Sequence, residues 1–482
     1  MSRDFQLPGR SAVVACAGMA ATSHPMATLA AIDVLRAGGN AVDAAIAAVA
    51  VLCVVEPHMT GIGGDCFCLI SEPGKPVWGY NGSGRAAANA WIEPLLARGM
   101  RGIPFNSPHA VTVPGAVEAW GAILGARGRF ALDRALAPAI RFAEGGFPLA
   151  PRVAWDWGGA VDKLSANPGA KKHYLPHGRA PAEGDVIRQP ALAATLKAIA
   201  KGGARAFYEG PIAADMVATL AACGSALTAE DFARHRGDEV APISTNYRGV
   251  DLVEIPPTGQ GLTALVMLNI LEQFDLGALD PLGPDRFHLM LEAARLAFAV
   301  RDTHLADPAH MRVSVPALND KQFAKTLASR IDRARRVPLP TAPTPGSDTV
   351  YLTVVDRDRT AVSLINSLFS GFGSGICTEE TWIISTTAVR ASSSIRHTRM
   401  RSVRASGRCT RSSRRWRCAA AAATRVLASW ARIFSRWATC RWCSTCSIMG
   451  WMFRPRSMRR ARSLRAISPW SSAAFPWRLA TV

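Results

Sequence analysis

Residues 381–482 contain no aspartate, no glutamate and no lysine, yet they hold 21 arginines and eight of the 13 tryptophans. Ordinary globular surfaces mix both signs of charge. Residues 1–380 carry 35 basic and 36 acidic side chains, a net of −1, so the +20 of the whole chain belongs to its last hundred residues. That confines any polyanion binding to the tail. There, arginines interleaved with tryptophan can meet nucleic acid only non-specifically, through phosphates and stacking.

Other absences narrow the class further. No apolar run reaches the roughly 18 residues of a membrane span. The longest, Ala44 to Val55, has 12 and reads as a buried helix. The opening Met1-Ser2-Arg3-Asp4-Phe5 lacks the apolar core of a signal peptide, so a cytoplasmic location is expected. Eleven cysteines in 482 residues make no compact disulfide framework. No repeat recurs at periods of 20–50 residues. Hydrophobic residues make up 49% of the chain, enough for residues 1–380 to bury a large core.

Local patterns predict a mixed architecture. Residues 26–55 read as two helices broken at Gly38-Gly39-Asn40, with apolar residues recurring at three and four. Helices are also expected over 115–146, 190–201, 211–223, 262–275 and 286–301. Strands are expected at 68–80, 247–255, 350–355 and 361–366. Helices and strands mix without strict alternation, which fits a layered α/β or α+β fold.

Residues 337–348, with four prolines and a glycine, form an exposed linker suited to chain cleavage. Just beyond it, 350–355 and 361–366 flank the turn Asp356–Thr360 and predict a β-hairpin. If Val355 faces Ala361, the same register sets Thr349 opposite Ser367. Directly opposed residues of an antiparallel pair share a face about 5 Å apart. A threonine hydroxyl is a weak nucleophile without an adjacent base. A chain cut before Thr349 would supply one, because a new α-amino group titrates near about 8. Pattern alone favours Thr349 as merely the start of a strand, since strands beginning with threonine are common.

The chain resembles the γ-glutamyltranspeptidase family of N-terminal-nucleophile hydrolases. The resemblance rests on ordered motifs over about residues 10–380: AGGNAVDAA (37–45), GIGGDCFCLI (61–70), VPGAVEAW (113–120) and LAPAIRFAEGGFPL (136–149). It continues through AFYEGPIA (206–213), LTAEDF (227–232), YRG (247–249), IPPTGQG (255–261) and EAARLAFAVRD (292–302). It ends with DTVYLTVVDRD (348–358), AVSLINS and FGSGI. The resemblance implies an α+β fold, a four-layer αββα sandwich. It also implies self-cleavage of the Asp348–Thr349 bond, with residues 1–348 and the part from 349 onward staying associated as large and small fragments. Thr349 then attacks an amide carbonyl, Ser367 supplies the supporting hydroxyl, and no metal or organic cofactor takes part.

Departures from the family pattern bear on the substrate. In Tyr80-Asn81-Gly82-Ser83-Gly84-Arg85 a glycine falls where the transpeptidases carry the arginine that grips the γ-glutamyl carboxylate. Arg85 is left open between a carboxylate grip and a surface arginine. Phe369 stands where the family has an asparagine for the substrate amine. The substrate is therefore either a γ-glutamyl compound of the glutathione type or another small amide such as oxamate. Residues 381–482 contain no Gly-Gly, although the family's oxyanion hole uses such a pair. A reading-frame shift near residue 385 of a GC-rich gene would produce the Arg, Ser, Ala, Trp and Cys of 385–482. An inactive, uncleaved family member with a polyanion-binding tail is the reading from another class.

The remaining signals are weak. Cys440, Cys443 and Cys446 have metal-like spacing without a patterned fourth ligand. Gly82-Ser83-Gly84 and Gly373-Ser374-Gly375 lack the outer glycines of a nucleophile elbow. His24, His58 and His288 have no partner pattern and read as structural.

Overall fold

The computed structural model describes residues 13–336, except Ile92 and Arg101, together with Pro338 and residues 349–387. Asp348, most of the proline-rich linker, the tail cysteines and the arginine-rich segment lie outside the described residues.

Helix α1 (Pro25–Arg36) and helix α2 (Ala41–Val55) meet at the predicted break. Asn40 caps α2 by accepting from the N–H groups of Val42 and Asp43, and the Asp43 carboxylate accepts the Asn40 N–H in return. This reciprocal cap satisfies donors that a helix start leaves open. Every residue of α2 is buried, as its unbroken apolar run requires. The helical stretch expected over 115–146 is interrupted at Gly128. It becomes α4 (Ala116–Arg127) and α5 (Leu132–Gly145), after the short α3 (Glu93–Ala97).

Ten strands form among the described residues. They are β1 (Met19–Ala21), β2 (Asp65–Ser71), β3 (Trp78–Gly82), β4 (Phe147–Pro148), β5 (Val186–Ile187), β6 (Asp238–Val240), β7 (Ile243–Tyr247), β8 (Val250–Glu254), β9 (Val350–Val355) and β10 (Ala361–Ser367). Six build one antiparallel sheet in the order β1-β9-β10-β2-β3-β6. The single strand expected at 68–80 is two, separated by the turn around Pro73-Gly74. The strand expected at 247–255 is the second arm of a hairpin, β7–β8. Its two-residue turn is Arg248-Gly249, with φ of 54° and 84°. Two positive φ values mark the turn type whose twist suits paired strands.

Four layers result. Val350, Leu352 and Val354 of β9 join α2 and its neighbours in the main core. On the other face of the sheet, Leu69 packs with Val253 and Ile255. Leu252, one residue from Val253 and so on the opposite face of β8, packs with Ala264, Leu265 and Leu268 of the helix Gly261–Leu271. A second apolar cluster joins that helix to Pro284–His304 and Lys321–Ala328. The order is helices, six-stranded sheet, two-stranded sheet, helices: an α+β, αββα arrangement whose second sheet has only two strands among the described residues. No described helix is long and apolar enough to cross a membrane.

Candidate active site

The hairpin closes in the register that the turn length predicts. Val355 faces Ala361 and Val350 faces Asn366, so Thr349 comes one step before the first pair. Its Oγ1 lies 2.9 Å from the Oγ of Ser367, and both residues are half-buried. Ser367 Oγ also accepts the N–H of Phe369 at 2.8 Å. A serine oxygen that accepts a backbone N–H keeps its own O–H to donate. In the contact with Thr349 Oγ1 either hydroxyl can be the donor.

The residues behind Ser367 explain why it is held. Asn366 is fully buried. Its Nδ2 donates to Thr60 Oγ1 at 2.8 Å and to the Gly61 carbonyl at 3.2 Å, and its Oδ1 accepts from Trp120 Nε1 at 3.2 Å. The loop it holds, Gly61–Gly64, is wedged between two backbones. A Cβ on Gly64 would lie 2.2 Å from the Ser367 carbonyl oxygen, and one on Gly63 would lie 2.1 Å from that of Ile384. Gly63 and Gly64 of the GIGG motif are thus set by close approach of backbone, a use only glycine permits. The Thr386 N–H donates to the Gly63 carbonyl at 3.0 Å, so the chain stays packed on this loop through residues 384–387.

Asp65 extends the same row. It faces Ser367 across the β10–β2 pair, one residue before the β2–β3 ladder begins at Cys66–Gly82. Its buried carboxylate accepts the Gly84 N–H at 2.8 Å. Burial pushes its pKa from an ordinary 3.8 up to about 7, against the opposing pull of the Gly84 and Gly115 N–H groups. The folded protein therefore holds this proton more tightly than the unfolded chain. The stability cost of ionising it grows as pH rises from about 4 to about 7, then stays constant. Asp65→Asn should accordingly gain thermal midpoint over wild type across that interval and gain no more above it. A pH-independent difference between the two melting curves would refute the assignment.

Arg85 lies beyond the end of β3. Its guanidinium meets Asp238 of β6 at 3.4 Å, and both side chains are exposed. In the sheet, β3 is separated from β9 by β10 and β2, so Arg85 and Thr349 are not brought together by strand pairing. An anionic substrate group reaching Arg85 would compete with Asp238. The histidines sit elsewhere: His24 caps α1, His58 Nε2 pairs with Asp156 at 3.2 Å, and His288 contacts the Asp332 carbonyl. Among the described residues, no group of three or more His, Cys, Asp or Glu could hold a metal ion.

Asn366 and Asp65 were not singled out from the sequence. Asn366 did carry a signal: an amide within the mainly apolar strand Ala361–Ser367 must find buried partners. Asp65 had less, since an acid after a glycine loop is usually solvated.

The model of the gamma-glutamyltranspeptidase family matches residues 27–416. The chain belongs to that family. It is 39% identical over 374 residues to the glutathione hydrolase-like YwrD proenzyme of Bacillus subtilis, covering 77% of this chain and 70% of the relative. It is 37% identical over 381 residues to the oxamate amidohydrolase proenzyme of Klebsiella pneumoniae, covering 78% and 71%. Its fold is similar to that of the cephalosporin acylase from Bacillus halodurans, with a TM-score of 0.73 at 39% identity over 81% of this chain and 73% of that one. As a family member the chain is an amidohydrolase or acyltransferase of the N-terminal-nucleophile hydrolase type.

Proposed function

We propose that the chain is a precursor that cuts itself between Asp348 and Thr349 and then uses Thr349 to cleave a small amide. The observation that carries this reading is the 2.9 Å contact between Thr349 Oγ1 and Ser367 Oγ at the head of β9. In maturation, the Thr349 oxygen attacks the carbonyl carbon of Asp348, and the acyl group moves from nitrogen to oxygen. Water then hydrolyses the ester, leaving an Asp348 carboxylate and a free Thr349 amine. In turnover, that amine takes the hydroxyl proton as the oxygen attacks the substrate carbonyl. The proton passes to the leaving amine, and water or an acceptor amine resolves the acyl-enzyme.

The strand pairing supports the two fragments of such a precursor staying together. Strands β9 and β10, which follow the cut, are hydrogen-bonded between β1 and β2, which precede it. Cutting at 348–349 removes no strand pairing.

For the substrate, similarity to a glutathione hydrolase-like proenzyme and to an oxamate amidohydrolase proenzyme favours a small amide, glutathione-like or oxamate. The test is a panel of γ-glutamyl anilide, glutathione and oxamate, assayed beside the intact mass of the purified chain. Two fragments dividing at Asp348–Thr349, with hydrolysis of at least one amide, are expected. A single mass for all 482 residues with no hydrolysis would overturn the reading. It would favour the inactive family member, for which the lack of a Gly-Gly in 381–482 is the motivating observation. Loss of one oxyanion donor typically costs about 10²–10³ in rate.

A further inference from the structure

Beyond Ser367 the chain leaves the sheet and then returns to it. Cys377 pairs with Ile384 in a single antiparallel bridge, and Ser374 donates its N–H and its Oγ to the Ser385 carbonyl at 2.9 and 3.0 Å. Residues 374–385 therefore form a small hairpin that adds no strand to the six-stranded sheet. Its returning end lies against the residues around Ser367. The Thr387 N–H reaches the carbonyl of Leu368, the next residue after Ser367, at 3.3 Å, and the Thr386 N–H reaches that of Gly63.

The tip of this hairpin is held by helices that precede residue 348. Asp215, on the helix Pro211–Ala222, accepts both the N–H and the Oγ1–H of Thr381 at one carboxylate oxygen, at 2.9 and 2.7 Å. Thr195, on the helix Pro190–Gly202, donates to the Thr381 carbonyl at 2.8 Å. Asn167, which caps the helix Pro168–Tyr174, also accepts the Cys377 N–H at 3.1 Å. From that helix, Lys172 donates to the Glu379 carbonyl at 2.8 Å. A Cβ on Gly169 would lie 2.1 Å from the Cys377 carbonyl oxygen, so the helix is notched where the hairpin backbone approaches it. Trp382 turns with a φ of 56°, in the left-handed region that disfavours a Cβ, and its ring stacks on that of His173 at 4.3 Å and 18°.

We infer that these helices form a second docking surface for the fragment that begins at Thr349, anchored by Asp215 and reading chiefly the main chain of residues 377–381. Its role rests on the proposed cut, although its contacts do not. Strand pairing holds the fragment through β9 and β10, while this surface holds the hairpin that follows them and so fixes the returning chain beside Ser367. A carboxylate makes charge-assisted hydrogen bonds, roughly twice as strong as neutral ones, and Asp215 makes two of them to one residue. At Glu379 the gripped atom is the carbonyl, and the side chain is exposed. The Glu380 carboxylate meets Lys172 at 3.5 Å between exposed side chains, a pairing that contributes little.

The test divides the chain without relying on Thr349. A protease recognition sequence replaces residues 341–346 of the full chain, inside the proline-rich linker, and the added protease cuts there. The chain is immobilised through its N-terminus, and the half-time for release of the second fragment is read at a fixed urea concentration. Asp215→Ala should release it about tenfold to a hundredfold faster than wild type, the scale of a lost hydrogen bond to a charged group. Thr381→Val loses one of the two donors and should fall between them. Glu379→Ala keeps the carbonyl and should match wild type within about twofold, as a surface substitution does. Hydrogen exchange of residues 41–55 checks that each variant is folded, and if Asp215→Ala is not, Thr381→Val carries the test. Release of the folded variant at the wild-type rate, or an equal effect of Glu379→Ala, would overturn the inference. The expected pattern in a chain that never cuts itself would count against Thr349 alone. Normal self-cleavage without the pattern would count against the docking surface alone.

Discussion

Thr349→Ala should give a single uncut mass and lower kcat/KM toward any hydrolysed amide by about 10⁴-fold or more, the scale on which removing a nucleophile acts. Both effects would trace to one oxygen, because in the proposed mechanism the same hydroxyl opens the precursor and attacks the substrate. Thr349→Ser keeps the oxygen and should still yield two fragments, more slowly. Ser367→Ala removes a partner that supports the reacting oxygen rather than the oxygen itself. A hydrogen bond to a charged group is worth roughly 1.5–3 kcal/mol, so its loss should cost about tenfold to a hundredfold. The ordering is the informative part. If Ser367→Ala were as damaging as Thr349→Ala, with Thr349→Ala still cleaving, the nucleophile would have to be Ser367.

How far the sequence foretold this depends on the range of the forces involved. The hairpin was legible because strand alternation and a five-residue turn are local, and local register carried Thr349 to Ser367 without any tertiary information. The break at Gly38–Asn40 was legible for the same reason, as a glycine pair followed by a capping asparagine. The β7–β8 turn was not, because Arg248 adopts a positive φ that its residue type does not announce. The pairing of Arg85 with Asp238 joins residues far apart in the chain, and no short-range pattern marks it. The role of the GIGG motif was hidden too. Its Gly63 and Gly64 answer to the carbonyls of Ile384 and Ser367, more than 300 positions away in sequence.

Asn366 is where this long-range packing should prove most sensitive. Its hydrogen bonds allow one orientation of the amide. Trp120 Nε1 is only a donor and the Gly61 carbonyl only an acceptor, so Oδ1 must face the indole and Nδ2 the glycine loop. Asn366→Leu fills a similar volume but leaves the indole N–H, the Thr60 hydroxyl and the Gly61 carbonyl without this partner. Gly61 keeps the Gly64 N–H at 3.1 Å and Thr60 keeps Cys53 Sγ at 3.8 Å, so the indole N–H is the group most nearly stranded, and a loss of about 1–3 kcal/mol in unfolding free energy is expected. Activity should fall further than stability explains, because Asn366 connects the Gly61–Gly64 loop to the residue that carries the supporting hydroxyl. Asn366→Asp separates the contributions. It keeps an acceptor for Trp120, strands the Gly61 carbonyl against a carboxylate, and should be the more destabilised of the two as pH rises and that carboxylate ionises. Urea unfolding at two pH values, read beside the extent of self-cleavage, measures both effects. Full cleavage in Asn366→Leu at wild-type stability would mean that the loop, held by its glycines alone, positions Ser367 without the amide.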